Sequence, residues 1–245
     1  MTSDINITEE QWYDRTLLML GRESFAKMQN AHVVVVGVGG VGGYAAEMLV
    51  RSGIGKITII DSDNVSVTNI NRQLIACHDT VGLSKVELFK KRFLNINPKL
   101  VVNAEHCYLT SENIAMYINE GVDFVIDAID TIGPKVSLIE YCIKNKVKIV
   151  SSMGAGGRVD PSMIKYCDIW DTKEDGLARV VRQRLKKIGL RCKLPVVCSL
   201  ESPKRYSIIE LNEENKRSSF GTLATIPSIF GIYLANYIIR KVTGI

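Results

Sequence analysis

Four consecutive valines, Val33, Val34, Val35 and Val36, run straight into Gly37-Val38-Gly39-Gly40-Val41-Gly42, and this junction restricts the possible folds more than any other stretch. A β-branched run without polar alternation predicts a strand buried on both faces, the habit of parallel sheets. Residues 44 to 51 carry helix formers stopped at Gly53, so the glycines occupy a turn between strand and helix. In that setting Gly37 and Gly39 permit a tight turn whose backbone N–H groups approach a phosphate. Gly40 and Gly42 complete the same cofactor-binding turn, and the helix N-terminus adds partial positive charge. Asp61 closes the next apolar run, 24 residues beyond Gly37. That is close to the spacing at which a carboxylate accepts hydrogen bonds from a ribose.

The remainder of the first two-thirds continues the alternation. An amphipathic helix over residues 12 to 27 precedes strands at 33–36, 56–60, 100–106, 123–129 and 147–151, with helices at 42–52, 83–94, 111–119 and 134–145 between them. Ser111 is the expected N-cap of its helix, Gly53 a C-terminal stop, and Pro98 follows a helix exit. The predicted fold is therefore α/β: a Rossmann-like, doubly wound, mainly parallel sheet with helices on both faces. After Gly157 the alternation weakens. Residues 158–245 read as an antiparallel or mixed extension that binds substrate, forms a dimer and ends in an apolar helix. No Pro-, Gly- or Ser-rich linker divides the chain, so residues 1–245 are expected to form a single domain with its nucleotide-binding core at 12–157.

A ribose-holding carboxylate does not separate NAD from ATP, because both carry an adenosine. The residues after Asp61 do. Adenylation, in which a carboxylate attacks the α-phosphate of ATP, needs cations around the phosphates, and hydride transfer does not. Arg72 offers a planar fork for phosphate oxygens and Lys85 a compact point charge. Farther on, Val125-Ile126-Asp127-Ala128-Ile129-Asp130 predicts a buried strand that delivers Asp130 to the C-terminal edge of the sheet, where open α/β sheets bind ligands. Asp130 is thus placed to hold Mg²⁺ on the phosphates. Asp127, three residues earlier, is expected to make structural contacts. His32, His78 and His106 show neither metal-ligand spacing nor a triad.

Gly37 to Gly42, Asp61, Asn69-x-Asn71-Arg72-Gln73, Lys85 and Asp130, in this order and spacing, resemble the ubiquitin-activating-enzyme-like adenylyltransferase superfamily, which includes the adenylyltransferases of thiamine and molybdopterin synthesis. The resemblance spans about residues 12 to 170. It implies that Asn69 and Arg72 are ATP ligands and that Lys85 is catalytic, whereas Gln73 stays open between ligand and loop amide. Tyr13-Asp14-Arg15 resembles a segment whose arginine reaches a neighbouring subunit's ATP, so Arg15 is expected to act across a homodimer. More narrowly, Ser151-Ser152-Met153-Gly154-Ala155-Gly156-Gly157, Asp160-Pro161, Asp175-Gly176-Leu177-Ala178 and the segment from Arg182 to Lys187 resemble one dehydratase branch. Members of that branch use ATP to cyclise the threonylcarbamoyl-adenosine next to the tRNA anticodon into its hydantoin, through a carboxyl adenylate. A tRNA carrying that nucleoside is the implied substrate, and a sulfur-transfer protein a further partner. Two features depart from the pattern. Ser199-Leu200-Glu201 differs at its middle residue, and no cysteine follows Cys198 to serve a thiol relay.

Composition sets the remaining bounds. With 245 residues, 46% of them hydrophobic, the chain can bury a large core. Its six cysteines contain no C-x-x-C pair, so neither a disulfide framework nor a structural zinc site is expected, and buried reduced thiols suit a cytoplasmic protein. The missing pairs also weigh against the alternative function, adenylation of the C-terminal glycine of a ubiquitin-like sulfur carrier. A nucleotide-binding scaffold without turnover and an NAD-dependent oxidoreductase are disfavoured by Arg72, Lys85 and Asp130. Residues 1 to 14 are polar and acidic, unlike a secretory signal. Residues 223 to 239 are mostly apolar but interrupted by Pro227, Ser228, Gly231 and Asn236, which predicts a buried or dimer-facing helix instead of an obligatory membrane span. Charge is concentrated: residues 173 to 193 hold eight basic and two acidic side chains in a chain of net +5. Arg179, Arg182 and Lys186 fall at i, i+3 and i+7 and would share a helical face suited to phosphates or simply solvated, and the resemblance implies that the phosphates are those of tRNA.

Overall fold

The structure, a computed structural model, describes residues 11–213 and 216–245. Most of the acidic N-terminal stretch, residues 1–10, lies outside the described residues. The chain opens with α1 (Asp14–Asn30), which kinks at Gly21, and β1 (His32–Val36). Then follow α2 (Gly42–Arg51), β2 (Lys56–Ile60), α3 (Lys85–Ile96), β3 (Val101–Glu105) and α4 (Ile114–Tyr117). The next elements are β4 (Phe124–Asp127), α5 (Ile132–Lys144), β5 (Lys148–Ser152), β6 (Ile164–Asp168), α6 (Gly176–Lys187) and β7 (Pro195–Ser199). The hairpin β8 (Ile208–Glu213) and β9 (Lys216–Phe220) leads to α7 (Thr225–Thr243).

Seven strands form one sheet in the order β3-β2-β1-β4-β5-β7-β6, parallel except for the edge strand β6. The valine run explains why both faces are covered. Val33 and Val35 enter a core built with α2, α3 and α7, while Val34 and Val36 enter a second core built with α4, α5 and α6. Strand alternation thus splits one apolar run between two layers, as a doubly wound sheet requires. The reversal of strand order between β1 and β4 puts the C-terminal ends of both at a topological switch point, where such sheets bind ligands.

Three expectations change. The helix read over 111–119 contracts to the four residues of α4, and its N-cap is Asn113, not Ser111. The Asn113 carboxamide accepts from Thr110 N at 2.8 Å and donates to Tyr108 O at 3.0 Å, which holds the preceding residues in a turn. Second, the mixed extension supplies β7 and β6 to the main sheet itself. Third, the thiols are not uniformly buried: Cys142 and Cys198 are, but Cys77 is exposed. The interrupted apolar stretch is α7, whose Ile226, Phe230, Leu234 and Ile238 fill the first core. Gly231 lets α7 approach α2, because a Cβ there would come within 2.3 Å of Val41 O. No helix among the described residues is long and apolar enough to cross a membrane.

Candidate active site

The glycine turn leaves β1 through Gly37, whose φ of +83° favours glycine and whose N–H donates to Ile60 O at 2.8 Å. Gly42 lies beneath the turn: a Cβ there would sit 1.8 Å from Gly37 O, so its missing side chain allows α2 to close against the strand end. Asp61, at the end of β2, braces this cradle. Its Oδ2 accepts from Val38 N at 2.7 Å and its Oδ1 from Asp63 N at 2.9 Å. A carboxylate offers about four lone-pair positions, so capacity is left for hydroxyl donors. Burial pushes the Asp61 pKa above the usual aspartate value, and the nearby Lys85 charge is the largest opposing influence.

Lys85 is the first residue of α3 and only 4% exposed, unlike an ordinary helical lysine. Its Nζ lies 2.7 Å from Asp63 Oδ2 and 3.8 Å from Asp61 Oδ1. Asp63, which anchors it, was not singled out from sequence. Arg72 donates through Nη1 to Thr68 O and Asn71 Oδ1, both at 2.9 Å, and its stem packs over Gly40. Asn69 shapes this loop: its Oδ1 accepts from Ser66 N at 3.0 Å, and its carbonyl accepts from Arg72 N and Gln73 N. Gln73 is 8% exposed, and its Oε1 has no hydrogen-bond partner among the described residues. An orphaned acceptor in the wall of a cleft fits a site completed by a ligand's donor.

Across the cleft, Asp127 is fully buried and holds the turn that carries Asp130. It pairs with Lys135 Nζ at 2.8 Å and accepts from Ser151 Oγ at 2.5 Å and Ile129 N at 3.1 Å, while Lys135 Nζ also donates to Ile129 O at 2.9 Å. This is the structural part expected of Asp127. Gly37, Gly39, Gly40, Asp61, Asn69, Arg72, Lys85 and Asp130 all line one cleft of about 930 Å³. Gly154, Ala155 and Gly156 after β5 form part of its wall, with Phe220, Thr222 and Pro227 nearby. The volume lies within the usual range for small-molecule sites. Arg15 is exposed on the first turn of α1, outside the lining of its own chain's cleft.

The Asp175-Gly176-Leu177-Ala178 segment is a joint. Asp175 Oδ1 caps α6 through Ala178 N at 2.9 Å, while Oδ2 accepts from Gly154 N at 3.0 Å and from Arg158 Nη2 at 3.2 Å. Arg158, another residue missed in the sequence, is buried and also donates to the carbonyls of Glu174 and Glu201. Glu201 in turn accepts from Val159 N and Asp160 N at 2.9 Å each, and Leu200 beside it is partly exposed. Arg179, Arg182 and Lys186 do share one flank of α6, but they differ in environment. Arg182 Nη1 is tied to the carbonyls of Ile169 and Thr172 and to Thr172 Oγ1. Lys186 stands 5.9 Å from the Trp170 ring, and Arg179 is exposed. The cleft is lined from the other flank of the same helix, by Leu177, Val180 and Arg184.

Among the described residues no three His, Cys, Asp or Glu side chains gather as a protein-only metal site requires. Mg²⁺ held between one carboxylate and phosphates needs no such group. The ThiF family model matches residues 13–245. The tRNA threonylcarbamoyladenosine dehydratase of Escherichia coli (strain K12) is 36% identical, covering 96% of each chain, and that of Bacillus subtilis (strain 168) is 38% identical, covering 93% of this chain and 92% of the relative. A solved structure of the E. coli tRNA N6-threonylcarbamoyladenosine dehydratase in complex with ATP superposes with a TM-score of 0.88 at 37% identity, over 96% of this chain and 94% of that one.

Proposed function

Because the chain belongs to the ThiF family, we propose that it cyclises the threonylcarbamoyl-adenosine next to the tRNA anticodon at the expense of ATP. The observation that carries this reading is the convergence of the glycine cradle, Asp61, Arg72, Lys85 and Asp130 on one cleft, in a chain related along nearly its whole length to dehydratases of that name. ATP lies over the glycine turn with its ribose on Asp61 and its phosphates towards Asn69, Arg72 and Lys85. Asp130 would hold Mg²⁺, which would offset phosphate charge when bound. The threonyl carboxylate attacks the α-phosphorus; a C–O–P bond forms, the bond to the β-phosphate oxygen breaks, and pyrophosphate leaves. The carbamoyl nitrogen then attacks the activated carbonyl carbon, loses its proton and expels AMP. This second step is intramolecular, and the proximity of its reacting atoms removes any need for a protein nucleophile.

The cations serve the first step by holding the extra charge that develops on the phosphorus oxygens. Arg72 retains N–H groups beyond the Nη1 that binds the loop, and a lysine has three donors, so Lys85 can keep Asp63 and still meet an oxygen. The same reading includes a cytoplasmic homodimer in which Arg15 serves the neighbouring cleft, tRNA phosphates on Arg179, Arg182 and Lys186, and a sulfur-transfer protein as a further partner. The alternative, adenylation of a ubiquitin-like sulfur carrier, lacks the paired C-x-x-C zinc cysteines common in that group. Incubating purified protein with ATP and tRNA containing threonylcarbamoyl-adenosine, then measuring nucleoside masses, tests the reading. The nucleoside loses one water if it holds. Unchanged nucleoside with adenylation of a carrier's terminal glycine would establish the alternative.

A further inference from the structure

Beside the cleft lies a second cavity of about 600 Å³, and Tyr108 and Arg184 line both. Thr131, the residue before α5, is likewise shared with the cleft, and the remaining walls include Ser137 on α5 and Lys187 on α6. Tyr108 is 51% exposed. Neither Arg184 nor Lys187 has a side-chain hydrogen bond or ion pair to another described residue, in contrast to Arg182 on the opposite flank. Thr131, the N-cap of α5, makes no side-chain cap bond, so the amides of that helix start are left to other acceptors. An exposed aromatic ring, two cations and an uncapped helix start around one cavity combine a face for a flat group with positive charge for an anion.

We propose that this cavity is an RNA subsite for a nucleotide adjacent to the one being modified, with its base stacked on Tyr108 and its phosphate on Arg184 and Lys187. The identity of the RNA rests on the proposed function; the chemistry of the subsite does not. Single-stranded RNA is recognised by this pairing of aromatic platform and backbone-tracking cations. Continuity with the cleft at Tyr108 and Arg184 lets one strand place a nucleotide at the reaction centre and its neighbour in the cavity. The subsite also separates two sets of cations on α6. Arg184 and Lys187 position the reacting strand, whereas Arg179 and Lys186 can reach only RNA outside the cleft.

The test is binding of a synthetic anticodon stem-loop containing threonylcarbamoyl-adenosine to full-length protein, measured by fluorescence anisotropy across a salt series. Tyr108→Ala should weaken binding about tenfold, in line with the loss of one base stack, while Tyr108→Phe stays within about twofold of wild type. The double variant Arg184→Ala/Lys187→Ala should lose affinity, and its salt dependence should become shallower by about 0.7 log units per log unit, reflecting the loss of its one single-strand phosphate contact. Thermal unfolding confirms that each variant is folded. Wild-type affinity and slope in these variants would overturn the subsite, as would competition for the cavity by an acidic peptide but not by RNA. Ring closure of the same stem-loop is followed in parallel. If wild type cyclises the RNA but the variants bind normally, the subsite fails and the reaction stands. If wild type does not cyclise it but the variants lose affinity, the reaction fails and the subsite stands.

Discussion

Lys85 shows how a site residue can be prepared by its neighbours. It is buried at a helix start and paired with Asp63, so its ammonium is fixed before any phosphate arrives. Preorganised charge of this kind acts mainly on the transition state. Arg72→Ala and Lys85→Ala should therefore each lower the adenylation rate by about 100-fold while weakening ATP binding much less, measured as single-turnover rates against equilibrium affinity. Equal losses in both would mean simple ground-state binding. Asp61 gives a pH prediction. Only its ionised form accepts two ribose hydroxyls freely, and burial raises its pKa above the ordinary aspartate value of 3.8. ATP affinity should accordingly fall as pH drops through that raised pKa, at a higher pH than an exposed aspartate would give. Asp61→Asn should bind ATP more weakly and with little pH dependence over the same range, which calorimetry at several pH values checks.

At the scale of elements, the turn between β4 and α5 rests on the fully buried Asp127–Lys135 pair. Removing one partner leaves an uncompensated buried charge, so Lys135→Met should cost about 3–5 kcal/mol in denaturant unfolding, and Asp127→Asn/Lys135→Met should recover much of it. Equal stability of the single and double variants would show that the pair is not coupled. The strand and the glycine turn were legible because their signals are local: four valines, then glycines whose backbone no other residue suits. The position of Asp130 in the cleft wall was legible from its place just past a buried strand. Asp63 and Arg158 were not, because each acquires its role from partners brought near by folding, 22 residues away for Lys85 and 43 for Glu201. For α6 the periodicity correctly put Arg179, Arg182 and Lys186 on one face. Periodicity does not say what a face looks at. The buried stripe of Ala178, Val181 and Leu185 divides that flank from the one carrying Val180, Arg184 and Lys187.

Over the whole molecule, the sheet order makes one crevice from distant stretches of chain. The β1 and β4 ends bring the glycine cradle opposite Asp130, and the segment after β5 is tied to α6 through Gly154 N and Asp175. The last third of the chain closes the same site from the other side: Asn71 Nδ2 donates to Thr222 O at 3.0 Å, and Pro227 packs near Gly40. The cleft is therefore one that neither half of the chain forms alone. On the proposed function, this cleft adenylates a carboxylate carried by tRNA. The most direct measurement is ATP–pyrophosphate exchange by the purified protein, with tRNA carrying threonylcarbamoyl-adenosine and, separately, with the same tRNA lacking it. Exchange that depends on the modified nucleoside is the predicted result; exchange of equal rate with both tRNAs, or with neither, would contradict it.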